Sequence, residues 1–319
     1  VGASYQPSKT VNYTENGLFK RDTVLKTRNW SPNARVDINF SEYKMLRLNY
    51  RGSTSQPSIN QMMPVPDNSN AMSQSLGNPS LAPYFSHNFN GQYRYNNRQK
   101  FTSFNIRFNG GFTQNPITNA IWNQKGVTYS MPFNGKTTAN AGANMFFNTP
   151  IAKSNFSINN QLGANWSTSW SYVGEASLDM SKYADPHTDF YAFMEAFVAD
   201  HPSLADAKDF RANNTQSLSV NERIRLTYRL DNFEIIVGGS TRMSHSWYTV
   251  GDDMTTWNNA VNASVDYDWN LTGLGFNADL NYNWYRGYAT EQPHQFILNA
   301  EITKLIFHNR ATLAIRGYD

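Results

Sequence analysis

Cysteine is absent from the 319 residues, which excludes a small secreted fold stapled by disulfides. Charge is scarce as well, with Asp, Glu, Lys and Arg making up 16% of the chain where about 25% is usual for a soluble domain. The formal net charge of +3 is small for this length. No run of Lys and Arg could track a phosphate backbone, so nucleic-acid binding has no support. No stretch approaches the roughly 18 consecutive apolar residues of a transmembrane helix. An initiating Met and a signal peptide are also missing, because Val1 opens directly into strand-like sequence and Asp319 stops inside another. Both ends read as cut, and residues 1–319 are expected to be one partial domain of a longer protein.

Uncharged polar residues, chiefly Asn, Ser and Thr, fill the gap, which is why the mean hydropathy is −0.60 although 39% of residues are hydrophobic. Aromatic residues reach 14%, with 18 Tyr, 20 Phe and 8 Trp. Such residues favour strands and suit surfaces at a membrane interface.

Period-two alternation is the dominant pattern. Leu218, Val220, Glu222, Ile224, Leu226, Tyr228 and Leu230 alternate with Ser219, Asn221, Arg223, Arg225, Thr227 and Arg229. Val261, Ala263, Val265, Tyr267 and Trp269 alternate with Asn262, Ser264, Asp266 and Asp268, and after Thr272–Gly273 the pattern resumes from Leu274 to Trp284. The same grammar recurs around Leu46–Arg51, Phe104–Phe108, Phe156–Ser167, Phe296–Ile302 and Leu313–Ile315, which gives about thirteen strands. Tight connections fall near Glu42, Asn97, Ile151, Asp231, Thr272 and His308. Long ones are expected near 10–30, 54–86, 113–135, 172–213, 245–256 and 286–293. Short turns at one end and long loops at the other are the layout of an outer-membrane barrel.

Length supports the same class. Trp257 and Trp269 share a face, and a tilted strand between them rises roughly 30 Å, the height of a hydrocarbon band with an aromatic girdle at each edge. In hydrocarbon every strand N–H and C=O needs a partner, so the sheet must close on itself. The fold class expected is therefore all-β, an antiparallel up-and-down transmembrane barrel with its apolar face toward lipid and its polar face toward a lumen.

The longest polar connection lies between two such strands. It carries Gln56-Pro57-Ser58-Ile59, Asp67-Asn68-Ser69-Asn70 and Gly77-Asn78-Pro79-Ser80-Leu81-Ala82-Pro83, preceded by Leu46-Arg47-Leu48-Asn49-Tyr50. With these residues the chain resembles the outer-membrane β-barrel family of TonB-dependent-receptor-like proteins of Bacteroidota. The quotable motif spans residues 44–95, and Asn309 onward resembles the approach to the family's last strands. The resemblance implies a barrel of about 22 strands, occluded by a plug domain of the same chain and opened through the TonB complex to import a scarce ligand. It also implies a surface lipoprotein as a candidate partner. Neither the plug nor the TonB box is in this sequence.

Catalytic chemistry finds little foothold. His87, His187, His201, His245, His294 and His308 are scattered without metal-ligand spacing, and no nucleophile elbow or phosphate loop occurs. No enzyme activity, metal or cofactor is expected. Arg47, Arg51, Arg223, Arg225, Arg229, Asp266, Asp268 and Asp279 would line the lumen, to guide a polar solute or pair with a plug. Mutual neutralisation between neighbouring strands is the competing reading. Within residues 174–213 a short helix is expected from about Asp189 to Ala199. Phe190, Phe193, Met194 and Phe197 on one side could meet a ligand or a lid, or pack a core of the loop's own. Trp122 and Trp247, read as loop residues, could stack on a ligand or anchor at the interface. Two rival functions stay open, a passive channel or structural barrel without energy coupling, and a soluble β-rich adhesin or carbohydrate-binding protein.

Overall fold

The computed structural model describes residues 1–319 apart from 17–18, 63–71, 125, 152–153, 176–177, 185–189, 202–208, 270–271, 308–309 and 319. Its strands are β1 (Gly2–Asn16), β2 (Phe19–Ser41), β3 (Lys44–Ser55), β4 (Ser73–Ser75), β5 (Tyr84–Asn97), β6 (Thr102–Gln114), β7 (Ile117–Gln124) and β8 (Val127–Asn134). They continue as β9 (Thr138–Pro150), β10 (Phe156–Gly174), β11 (Phe210–Leu230), β12 (Phe233–Tyr248), β13 (Met254–Trp269), β14 (Leu274–Arg286), β15 (Gln295–Ile306) and β16 (Ala311–Gly317). Two α-helices, α1 (Ile59–Met62) and α2 (Phe190–Asp200), lie in the connections.

All sixteen strands join one sheet, and thirteen of them follow each other as antiparallel neighbours in chain order once β4, β7 and β8 are set aside. β1 and β16 lie at opposite ends of that order, so the sheet is open among the described residues. Several strands far exceed ordinary length, β2 with 23 residues, β11 with 21 and β10 with 19. Strands in globular domains average five or six residues, so these are built to cross something thick.

Register fixes which residues share a side. Leu48 lies opposite Gly91, Gly91 opposite Phe108, Phe108 opposite Ala143 and Ala143 opposite Ala164, so one apolar row crosses five strands. A bare glycine in that row would leave a gap. The Phe108 ring fills it, standing where a Cβ on Gly91 would be. The next row along the strands runs through Arg47, Gln92, Arg107, Asn144 and Gly163 on the other side. The alternation seen in sequence is thus carried coherently from strand to strand.

The apolar side is not covered by a second layer. Leu226, Val261 and Leu298 are 38%, 41% and 46% exposed although they sit mid-strand. A water-facing sheet with this many bare Leu, Val, Ile and Phe side chains would far exceed the few hundred Å² of apolar patch that a soluble monomer shows. A sandwich would have buried them, so the rival soluble reading has no support in this architecture.

Aromatic rings mark both edges of the apolar band. Toward the short turns Phe156 and Tyr228 are 4.7 Å apart between centroids, Tyr228 and Phe233 6.4 Å, Phe233 and Tyr267 6.0 Å, and Phe104 and Phe147 6.4 Å. Toward the long connections stand Tyr50 and Phe89 at 4.9 Å, His87 and Phe112 at 4.2 Å, and Tyr282 and Trp284 at 5.6 Å, with Trp257 further along. Two rows separated by an aliphatic band are the girdle pattern of a membrane strand.

The tight turns near Glu42, Asn97, Ile151, Asp231 and Thr272 fall where the sequence places them, His308 lies outside the described residues, and α2 matches the expected helix within a residue or so. Two expected loops are not loops. Residues 10–16 and 19–30 belong to the long β1–β2 hairpin, whose pairing runs from Gly2–Asn33 to Asn16–Phe19. Most of 245–256 is strand, because β12 reaches Tyr248 and β13 starts at Met254. Both stretches mix Thr and charged residues with single apolar ones, and such a sequence suits a strand extension beyond the membrane as well as a loop. Inside the expected loops 54–86 and 113–135 the chain adds β4, β7 and β8; β4 has only three residues, whereas Val127, Tyr129, Met131 and Phe133 of β8 alternate with polar neighbours and Pro132, a signal that sequence reading passed over.

Candidate functional site: the polar face and its cap

All eight predicted lumen residues stand on the polar side of the sheet, and they differ in what they touch. Arg47 is neutralised across the strand gap by Asp37 at 2.6 Å, and Asp37 also holds Arg35 at 2.5 Å. Arg229 pairs with Glu234 at 2.6 Å, and Asp266 accepts from the Asn277 amide at 3.1 Å. For Arg47 and Arg229 the neutralising reading describes the geometry, whereas the partner of Asp266 is a neutral amide. Arg51, Arg223 and Arg225 have no carboxylate partner among the described residues.

Arg223, Arg225 and Asp279 join Arg242 in a cleft of about 1030 Å³ that spans β11 to β15. Asparagines furnish most of its remaining polar surface, including Asn221, Asn258, Asn262 and Asn281. Amides of this kind donate and accept at once, which suits neutral polar solutes as well as a polar protein surface. A second hollow of about 380 Å³ shares Gln161 and Asn221 with the first and is lined further by Asn105, Arg107 and Phe146. Phe146 lies opposite Asn105 and Gln161, so its ring faces the polar side, 37% exposed. Sequence reading passed over Phe146, Arg107 and Arg242. The signal for Phe146 was the Phe146–Phe147 pair, since adjacent strand residues point to opposite faces.

Above the long-connection end the sheet is extended sideways. β7 pairs with β10 in parallel at Tyr172–Ala120 and Val173–Ile121, β8 runs antiparallel to β7, and β4 adds in parallel to β8. Trp122, Tyr129, Met131 and Phe133 from this extension pack with Tyr172, Phe210 and the Phe193, Met194 and Phe197 stripe of α2. This is the main buried cluster of the described residues. Trp122 stacks on Tyr129 at 5.6 Å and on Phe197 at 5.4 Å. His201 closes α2 by its main-chain N–H and its Nδ1, both at the Phe197 carbonyl, 3.0 and 2.9 Å away, and Pro202 follows in sequence. Register shows which side this cap occupies: Trp166–Leu218, Tyr172–Ala212 and Gly174–Phe210 follow one alternation, so its core continues the apolar side.

The motif loop is fastened to that cap. Gln56 donates to Asn29 at 2.8 Å, Pro57 is buried, and Ser58 starts α1 by donating its main-chain N–H to Gln61 Oε1 at 2.9 Å and accepting the Gln61 N–H at its hydroxyl, 3.3 Å away. Asp67 and Asn68 lie outside the described residues. Asn78, 3% exposed, donates to the Pro132 carbonyl at 2.9 Å and accepts from Ser80 N–H at 2.9 Å. Gly77 beside it is buried, Pro79 follows it into the turn, and Leu81 is 5% exposed. The Pro83 carbonyl receives the Asn115 amide at 3.3 Å. Pro57, Pro79 and Pro83 carry no backbone N–H, so the clamp needs no acceptor for a donor at those positions.

The proposed ligand contacts are placed differently from one another. Trp122 is 2% exposed, and Phe193 and Phe197 are fully enclosed, so their rings face each other inside the cap. The Phe190 side chain lies outside the described set. Trp247 is in β12 instead of a loop, on the apolar side opposite Gln216 and 38% exposed, in the outer aromatic row.

Residues 5–231 match the model of the outer membrane protein beta-barrel family. The chain belongs to that family. No curated protein sequence matches it. The barrel protein resides in the cell outer membrane, and its apolar side faces lipid because in that membrane only a sheet with fully paired strands and an oily exterior is stable. The polar side, with both hollows, then faces the lumen. The short turns of this outer-membrane barrel lie at the end marked by Phe156, Tyr228 and Phe233, and the cap rises from the opposite end on the outer side of the wall.

Proposed function

We propose that the chain forms part of the barrel of a TonB-dependent-receptor-like importer, which takes up a polar solute with energy from the inner membrane. The observation that carries this reading is the lumenal lining: Arg223, Arg225 and Arg242 without carboxylate partners among the described residues, set in a wall of asparagines. A structural barrel has no use for unneutralised guanidinium groups on its inner wall, whereas a plug surface or an anionic or hydroxyl-rich solute pairs with them. Phe146 adds an apolar platform beside Arg107 in the adjoining hollow. The Gly77–Pro83 clamp, which supports the resemblance to that type of receptor, fixes the rim through which a solute would enter. A plug of the same protein, the TonB complex and a surface lipoprotein are the partners this reading requires, and transport instead of catalysis is the activity.

Planar-bilayer conductance of the intact protein discriminates the readings. A plugged importer holds the membrane near baseline until the plug is displaced by denaturant. A steady open-channel current from the untreated protein sinks the proposal and supports a passive channel.

A further inference from the structure

We propose that the barrel pairs with a second copy of itself through a polar seam on its lipid-facing wall, with Glu222 of each copy accepting a hydrogen bond from Asn259 of the other. The seam is an interruption of the apolar side. Glu222 lies directly opposite Leu162 and Thr241, and Thr241 directly opposite Asn259, so Glu222, Thr241 and Asn259 sit abreast on β11, β12 and β13. Asn160 joins from β10 by donating to Glu222 Oε1 at 3.2 Å. Around them the same face carries Ile158, Leu162, Val220, Ile224, Val237, Met243 and Val261, all between the two aromatic rows.

A carboxylate and two amides at this depth are out of place against acyl chains, where polar groups need partners. Internal pairing satisfies them in part. Thr241 donates to Asn259 Oδ1 at 2.7 Å, which leaves the Asn259 amide N–H groups without a partner among the described residues. Glu222 likewise has one oxygen engaged and the other open. The seam therefore presents one free strong acceptor and one free donor, on the strands flanking β12.

That arrangement is self-complementary. Two copies in one membrane with the same orientation are related by a two-fold axis along the membrane normal, which exchanges left and right on the facing walls. With the axis at Thr241, β11 of one copy faces β13 of the other, twice, which brings each Glu222 to the side of the seam that carries the other copy's Asn259. Gly239, two residues from Thr241 on the same face, lacks a side chain, and a Cβ there would make only an ordinary contact with the Ala260 carbonyl at 3.8 Å, so the walls can approach there. Two convex walls touch along only a few strands, and the seam is that wide.

The chain has no native cysteine, so introduced ones report contacts directly. In native membranes holding the intact protein under two tags, one copy carries Glu222→Cys and the other Asn259→Cys, and a mild oxidant is added. A disulfide-linked mixed-tag dimer is expected, lost when Asn259→Cys is replaced by Leu298→Cys on β15. In nanodiscs the unsubstituted protein should occur as two copies per particle. The Glu222→Leu, Asn259→Leu double variant should fall to one copy while keeping heat-modifiable migration. Single-copy particles of the unsubstituted protein, equal crosslinking at Leu298→Cys, or crosslinking of the seam to a different protein would each overturn the proposal. The crosslinking arm stands even where the double variant does not fold.

Discussion

Asn134 holds Ala82 by both of its backbone groups, accepting from the N–H at 2.8 Å and donating to the carbonyl at 2.9 Å. The side chain of β8 thereby imitates a neighbouring strand, and the motif loop is docked as though it were part of the sheet. Asn134→Ala removes both bonds and leaves Asn115 without the donor it receives at its carbonyl. The expected loss is about 1–2 kcal/mol of local stability, or roughly a tenfold faster amide exchange at Ala82. Unchanged exchange at Ala82 with this substitution would show that the clamp does not order the loop.

The two faces respond oppositely to charge. Leu226→Arg puts a guanidinium against acyl chains and is expected to cost about 2–4 kcal/mol, whereas Arg225→Leu, one residue away on the lumenal side, costs much less. A denaturant titration of the protein refolded into lipid vesicles measures both. Equal losses would mean that the facing is wrong.

Cap and barrel are stabilised by separate means. Phe197 sits among Trp122, Phe193, Tyr183 and His201, with ring centroids between 4.6 and 5.4 Å. Phe197→Ala is expected to weaken the cap by about 3–5 kcal/mol. Limited proteolysis should then cut within residues 174–210, while the heat-modifiable migration of the barrel stays as before. Loss of the barrel signal together with the cap would contradict their independence.

Tyr183 gives the cap an alkaline limit. Burial and its hydrogen bond to Asp200, at 2.9 Å, push the phenol from 10.0 up to about 12. A folded-state value above the unfolded one means that the contribution is complete below about pH 10 and is lost as pH rises toward 12. Near-ultraviolet dichroism of the cap should decline across that window. Tyr183→Phe is expected to flatten that decline, and an identical alkaline transition in this variant would assign it elsewhere.

What the sequence disclosed follows from periodicity. β11, β13 and β14 alternate cleanly because one side meets lipid and the other an aqueous lumen, and Thr272–Gly273 marks their turn, where Gly273 takes φ +64. α2 was legible because Phe193, Met194 and Phe197 recur at helical spacing. The cap sheet was legible only in β8, where Val127, Tyr129, Met131 and Phe133 alternate. β4 has three residues, and what joins β7 to β10 is two backbone pairs, Tyr172–Ala120 and Val173–Ile121, which leave no mark in composition. Trp122 could not be told from a ligand-stacking residue either, since beyond its hairpin partner Tyr129 the rings that enclose it, Phe197 of α2 and Phe210 of β11, are far away in sequence. Pairing among lumen charges was equally hidden, because Asp37 reaches Arg47 only through the β2–β3 register.

The most direct test is a cysteine scan of β13 from Val261 to Tyr267, with a spin label at each position in turn and collision rates measured against oxygen and a water-soluble nickel chelate. Labels at 261, 263, 265 and 267 should respond to oxygen, and those at 262, 264 and 266 to the chelate, in opposite phase with period two. Chelate access along both series would place water on both sides of the sheet and contradict a wall between lipid and lumen.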